Sequence, residues 1–476
     1  MRDVLQDLAR TLARAGGAAV LEAPPGAGKS TIVPLELLRI PGIVPAGRRI
    51  LMLEPRRLAA RSVAARMADL LGEAVGETVG YRVRFENRVS SRTRIEVVTE
   101  GILTRRIQSD PELKDVALVI FDEFHERNLH GDLALALCLE AREALREDLR
   151  ILVMSATLEE TGPAVSKLLS YGLSDSVAAP ILTSEGRMYP VEIRHLKGFA
   201  IADGRMYPAA IARAVSEAII DSLGAGHAGG NGDNETTGDV LVFLPGAGEI
   251  RRVERALLEA REPALAQTVV LPLYGDLSHA GQSAALGPDP GGKRKIILAT
   301  PIAETSLTIE GVRTVIDSGL RRAPRFDAAT GLSRLELARI SRASAAQRAG
   351  RAGRLGPGRA LRLWSEHDHD RLEARTRPEI LAADLAPLVL ELAAWGVPVE
   401  PDRALPLPFL DDPPPAHLKR AAELLMALGA LESSETVSTG ETVESRLDSL
   451  APGPRAVRIT EIGREMVGLP VHPRLA

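Results

Sequence analysis

The chain has 476 residues, 45% hydrophobic and 26% charged, which suits about two to four globular domains and excludes a disordered or collagen-like polymer. Lys+Arg (59) nearly balances Asp+Glu (63), so nucleic-acid binding would have to come from local clusters and not from bulk charge. One cysteine, Cys138, excludes an intrachain disulfide and any zinc site with two cysteine ligands, and a reducing cytoplasm is the expected location.

In chain order, MRDVLQDLARTLARAG reads as an amphipathic helix and lacks the apolar stretch of a signal peptide. Short runs rich in Val, Ile and Leu at 18–23, 48–54, 94–100, 116–123 and 149–157 read as buried strands. Helical patterns such as TIVPLELLRI and LAARSVAARMADLLG separate them. Strands alternating with helices predict an α/β fold with parallel sheets. The pattern restarts at 238–245, 268–275, 294–300 and 312–319, which predicts a second α/β lobe. Residues 224–238 and 432–456 read as polar loops. After about residue 366 the pattern turns helical, which gives expected domains at 1–176, 177–365 and 366–476. No apolar run reaches the roughly 18 residues a membrane span needs, so no membrane partner is expected. The chain stops at LPVHPRLA without a polar tail, and the natural protein is expected to continue.

Residues 23–30, APPGAGKS, follow the first strand and precede a helix expected at 30–39. This is the setting of a P-loop. Gly26, Ala27 and Gly28 would wrap phosphates with backbone N–H groups, Lys29 would reach the β- and γ-phosphates, and Ser30, followed by Thr31, would supply a hydroxyl to Mg²⁺. Ala23 stands where a leading glycine is usual. ATP and Mg²⁺ are thus the expected cofactors. The strand VALVIF ends in Asp122-Glu123-Phe124-His125, placing Asp122 as a second Mg²⁺ ligand and Glu123 as the group that orients the attacking water.

DEFH followed by Glu126-Arg127 resembles motif II of a DExH helicase, and other segments resemble further motifs in the family's order. These are EPRR (54–57), TEG (99–101), SAT (155–157), LVFLPG (241–246), ATPIAETSLTIEG (299–311) and QRAGRAGR (347–354). The chain is similar throughout to the DEAH/RHA group of helicase superfamily 2, in its bacterial HrpB-type branch. That resemblance implies two RecA-like P-loop NTPase lobes followed by a small helical winged-helix domain. It also implies ATP-driven 3′→5′ movement on single-stranded RNA, with unwinding. An RNA clamp that does not unwind and a DNA helicase are the alternatives, because phosphate-gripping motifs do not separate RNA from DNA.

Further roles follow from the resemblance. Arg351 and Arg354, three apart on a helix, would act as arginine fingers, Gln347 would position water, and His125 would bond nearby. Arg348 reads as a solvated arginine. RNA phosphates would meet Arg56, Arg57, Thr99 and Gly101 from lobe one, and Gly246, Thr300 and Thr305 from lobe two. Arg66 would stack on the base. Leu286 stands where the family has a partnering aromatic, so other NTPs should also be accepted. Pro301 replaces the usual Asn of motif V and removes an N–H that could meet RNA. Residues 321–354 carry nine arginines against Asp327 and Glu336, and part of this stretch reads as a β-hairpin turning at Thr330-Gly331. VGYRVRFENR (79–88) resembles a hook-like loop near RNA. A monomer is expected, and no activating protein can be named from the residues.

Overall fold

The computed structural model describes residues 2–476 apart from 15, 25, 157–160, 174–177, 187–188, 197–207, 225–237, 305–308, 328–331, 401–402, 404, 434–456 and 470. Thr305, the Thr330-Gly331 turn and nearly all of both polar loops lie outside the described residues.

The first sheet holds β1 (Ala18–Glu22), β2 (Arg49–Leu53), β3 (Val79–Val83), β4 (Glu86–Arg88), β5 (Ile95–Val98), β6 (Val116–Phe121), β7 (Arg150–Ser155) and β8 (Ile181–Thr183). Its order is β4-β3-β5-β2-β6-β7-β1-β8, parallel except for β4. Every residue of β5, β6 and β7 is buried. These strands read as unbroken apolar runs because helices cover both faces of the sheet. On β6, Val119 and Phe121 face one core, and Leu118 and Ile120 face the other.

The second sheet holds β9 (Val191–His195), β10 (Asp239–Phe243), β11 (Thr268–Leu273), β12 (Arg294–Ala299), β13 (Val312–Asp317) and β16 (Gly358–Arg362). It is parallel throughout, in the order β11-β12-β10-β13-β16-β9. Between β13 and β16, β14 (Leu320–Asp327) and β15 (Leu332–Arg339) form the antiparallel hairpin expected there.

The expected boundary at 176 falls short of the first sheet, because β8 pairs with β1 through Val20↔Ile181. β8 has three residues, none of them buried, and so carries no periodic signal. The stretch 79–88 is also more ordered than a loop. It forms β3 and β4 with Arg84-Phe85 at the turn.

Helices Ala386–Trp395, Pro415–Ala427 and Glu461–Gly468 and the pair β17 (Leu431–Ser433) and β18 (Val457–Ile459) make up the C-terminal unit. This unit does not stand apart. Leu388, Leu392, Leu418 and Leu425 share one core cluster with Leu103, Ile107, Leu133 and Leu137 of the first lobe. Arg127 Nη2 meets Asp411 at 2.6 Å, and the Leu129 N–H donates to Glu379 at 2.8 Å. The chain just after Glu123 is therefore tied to the C-terminal unit. Among the described residues, no helix is long and apolar enough to cross a membrane.

Candidate nucleotide site and nucleic-acid interface

The P-loop and the acidic pair leave the C-terminal ends of β1 and β6, the edge of a parallel sheet where ligands bind. Gly26 and Gly28 have φ of +87° and +84°, a region that glycine enters without steric cost. The helix starts at Ile32, later than the sequence suggests, and Ser30 and Thr31 belong to the turn before it. A Cβ on Gly28 would come within 2.6 Å of Ile32 Cδ1 and push that side chain aside, on top of the strain a larger residue meets at this φ. The loop amides are thereby arranged to face an anion.

Lys29 is buried and donates to Glu123 Oε1 at 2.9 Å, with Asp122 Oδ1 at 3.9 Å. Burial works against the charge on Lys29, but the two acids outweigh it and raise its pKa. Burial would also raise the Glu123 carboxyl. Lys29, His125 and Arg351 reverse this and hold it at about 2. Glu123 sits at φ +51°, an uncommon conformation for a non-glycine residue and one found at functional sites. Its N–H donates to Asp122 Oδ1 at 2.8 Å. Asp122 Oδ2 is buried with no hydrogen-bond partner; burial and the charge of Glu123 push the carboxyl above its usual range, against the opposing pull of Lys29 and the Ser30 hydroxyl. An orphaned carboxylate oxygen beside a hydroxyl is a donor set that fits Mg²⁺. The sequence reading missed Glu54, fully buried at the end of β2. Burial, then the charges of Asp122 and Glu123, push its carboxyl well above the usual range.

The second lobe reaches this centre. Gln347 Nε2 lies 2.8 Å from His125 Nε2, and His125 Nδ1 faces Ser155 Oγ at 3.3 Å and Glu123 Oε2 at 3.5 Å. With the amide donating, Nε2 accepts and the ring proton sits on Nδ1, directed at Ser155 and Glu123. The helix Arg342–Gly350 ends before Arg351, and Arg351–Gly353 forms a 3₁₀ turn. Three-residue spacing puts side chains in line on a 3₁₀ turn, so Arg351 and Arg354 still share a side. Burial lowers the pKa of both, and Glu123 acts in the opposite sense on each.

Arg348 is not solvated. It is fully buried and bonds Asp317 at 2.8 Å and Glu304 at 3.0 Å, with its guanidinium 4.9 Å above the Phe243 ring. A charge this deep requires partners. Glu304 and Asp317 supply them from sequence-distant segments, which a motif reading cannot reveal.

The residues expected to meet RNA divide into three groups. Arg57 and Gly101 are exposed, and nothing lies within 4 Å of a Cβ built on Gly101. Thr99 and Thr300 are half-buried, each directly before a helical segment and with no side-chain cap hydrogen bond to it. Gly246 and Arg56 are already occupied. A Cβ on Gly246 would meet Arg322 Nε at 2.9 Å, and Arg56 reaches across to lobe two, with Nη1 on the Pro301 carbonyl at 2.5 Å. Arg66 is exposed, and Leu286 packs against the second lobe's core.

A P-loop and an acidic pair on one parallel sheet, faced by side chains from a second, define a two-lobed P-loop NTPase. Residues 4–164 match the DEAD/DEAH box helicase family, and residues 217–356 match the helicase conserved C-terminal domain. The ATP-dependent RNA helicase HrpB of Escherichia coli strain K12 is 46% identical over 423 residues, covering 89% of this chain and 48% of that protein. The ATP-dependent RNA helicase HrpA of the same organism is 35% identical over 455 residues, covering 95% of this chain and 31% of that protein. The crystal structure of the Escherichia coli DEAH/RHA helicase HrpB superposes with a TM-score of 0.80 at 44% identity, covering 100% of this chain and 53% of the other. The chain belongs to the DEAH/RHA helicases and is similar to HrpB. It spans about half of HrpB's length or less than half in the case of HrpA.

Proposed function

We propose that this chain carries the motor of an ATP-dependent RNA helicase that moves 3′→5′ on single-stranded RNA and separates duplexes. The observation that carries the reading is the 2.8 Å contact of Gln347 with His125, beside Glu123. Hydrolytic groups from both lobes converge at one point, so turnover requires a closed cleft and couples chemistry to lobe movement. The P-loop amides and Lys29 bind the phosphates. Lys29 turns from Glu123 to them, which frees that carboxylate to orient water. Ser30 and Asp122 hold Mg²⁺, which supplies charge neutralisation on the phosphate oxygens. Arg351 and Arg354 face the γ-phosphate, whose charge relieves the cost of burying them. Arg57, Thr99, Gly101 and Thr300 line the RNA path, and the C-terminal unit is a winged helix. The protein works as a cytoplasmic monomer.

Steady-state NTPase with and without single-stranded RNA, run beside strand displacement and DNA competition, tests this. RNA-stimulated hydrolysis without displacement would leave a clamp, and equal stimulation by DNA would remove the RNA assignment.

RNA affinity should fall steeply with salt, by a slope of about −0.7 per phosphate contact. Arg57→Ala should make that slope shallower by about one contact, and a dissociation constant independent of salt would remove phosphate tracking. GTP, UTP and CTP should be hydrolysed within about tenfold of ATP, a difference near 1.4 kcal/mol. Leu286 offers the base no aromatic face, and a strong preference for ATP would point to another base pocket.

A further inference from the structure

After β12 the chain makes a short 3₁₀ turn, Pro301–Ala303, followed by Glu304. Arginines from opposite lobes grip its two ends. Arg56 of lobe one donates to the Pro301 carbonyl at 2.5 Å, and Arg351 of lobe two donates to the Glu304 carbonyl at 3.0 Å. The Glu304 carboxylate bonds Arg348 at 3.0 Å and feels the charge of Arg56 from the other lobe. At its own end, Arg56 is held by Glu126 at 3.2 Å, the residue next to His125. Two positions after Arg56, Leu58 is 7% exposed and lies in a cluster otherwise made of lobe-two side chains, including Phe243, Ala303 and Ile309. A polar grip and an apolar plug thus join the start of the helix Arg57–Leu71 to the same turn.

We propose that Arg56 is a positioning residue, a strut from the segment after Glu123 to the Pro301–Glu304 turn that sets where Arg351 stands. The proposal rests on the reading of Arg351 as the group facing the γ-phosphate. A three-residue 3₁₀ turn has few internal hydrogen bonds, so its place depends on what holds its carbonyls. If Arg56 lets go of Pro301, the turn and the Glu304 carbonyl shift together, and the Arg351 donors move with them. A shift of about 1 Å at a reacting centre can cost about 10²-fold in rate. A residue that only touched RNA phosphate would act only when RNA is present.

The test is hydrolysis without RNA, by single turnover with excess enzyme, for Arg56→Ala, Arg56→Lys, Arg351→Ala and the Arg56→Ala/Arg351→Ala double variant of the full chain. Arg56→Ala should slow the step by about tenfold or more with nucleotide affinity unchanged. Arg56→Lys should not restore the rate, since one ammonium cannot span Pro301 and Glu126 as the guanidinium fork does. In the Arg351→Ala background, removing Arg56 should cost nothing further. An unchanged RNA-free rate in Arg56→Ala, or the same loss in both backgrounds, overturns the strut. A normal rate in Arg351→Ala alone would instead show that the reading of Arg351 has failed.

Discussion

Arg351→Ala should lower the hydrolysis rate by about 10³-fold or more while leaving nucleotide affinity nearly unchanged. The guanidinium is buried, with Nε on the Glu304 carbonyl at 3.0 Å, and it arrives from the lobe opposite the P-loop. Burial first, then the like charge of Arg354, lower its pKa well below the ordinary arginine value. A cation held against such forces interacts most strongly with the partner that carries most negative charge. Along the reaction that partner is the phosphoryl group in transfer, so the loss falls on rate and not on binding. Rapid-mixing hydrolysis and equilibrium binding of a fluorescent nucleotide separate the two. A variant with normal rate and poor binding would make Arg351 a ground-state ligand.

Glu123→Gln should bind nucleotide almost normally and lose turnover by about 10²–10⁴-fold. The carboxyl is 3% exposed, and Lys29, His125 and Arg351 favour its ionised form against the effect of burial. Glutamine keeps its size and can still meet Lys29, but it cannot accept a proton from water. Asp122, at 3.9 Å from Lys29, stays in place to hold the ammonium. Lys29→Ala should differ in kind by weakening binding as well. Turnover in Glu123→Gln above about a tenth of the native rate would take water activation away from this residue.

The two parallel sheets were legible because their central strands are buried on both faces and therefore read as apolar runs between turn signals. Strands with little buried surface were not. β8 has no buried residue, β9 has none either at its sheet edge, and β4 is three residues long. The P-loop and Asp122-Glu123 were legible for another reason. Contiguous residues between a strand and a helix set that geometry locally, and glycine and lysine at set spacing leave the backbone few options.

What only the tertiary structure decided are the contacts between distant segments. Arg348 looked solvated because its partners, Glu304 and Asp317, lie 44 and 31 residues away. Arg56 is expected at RNA phosphate because EPRR (54–57) resembles a motif of the family, and its guanidinium turns to Pro301, 245 residues on. The docking of the C-terminal unit on the first lobe puts Leu388, Leu392 and Leu425 in one core cluster with Leu133 and Leu137. Each of those leucines is explained equally well by its own helix's core. Hydrophobic burial is non-directional, so an apolar face records that it must be covered but not by what. A charge pair needs both members in place, and one strand of sequence shows only one at a time. The local geometry of the P-loop is therefore written in the chain, and the contact that sets Gln347 of the second lobe beside His125 of the first is written in the fold.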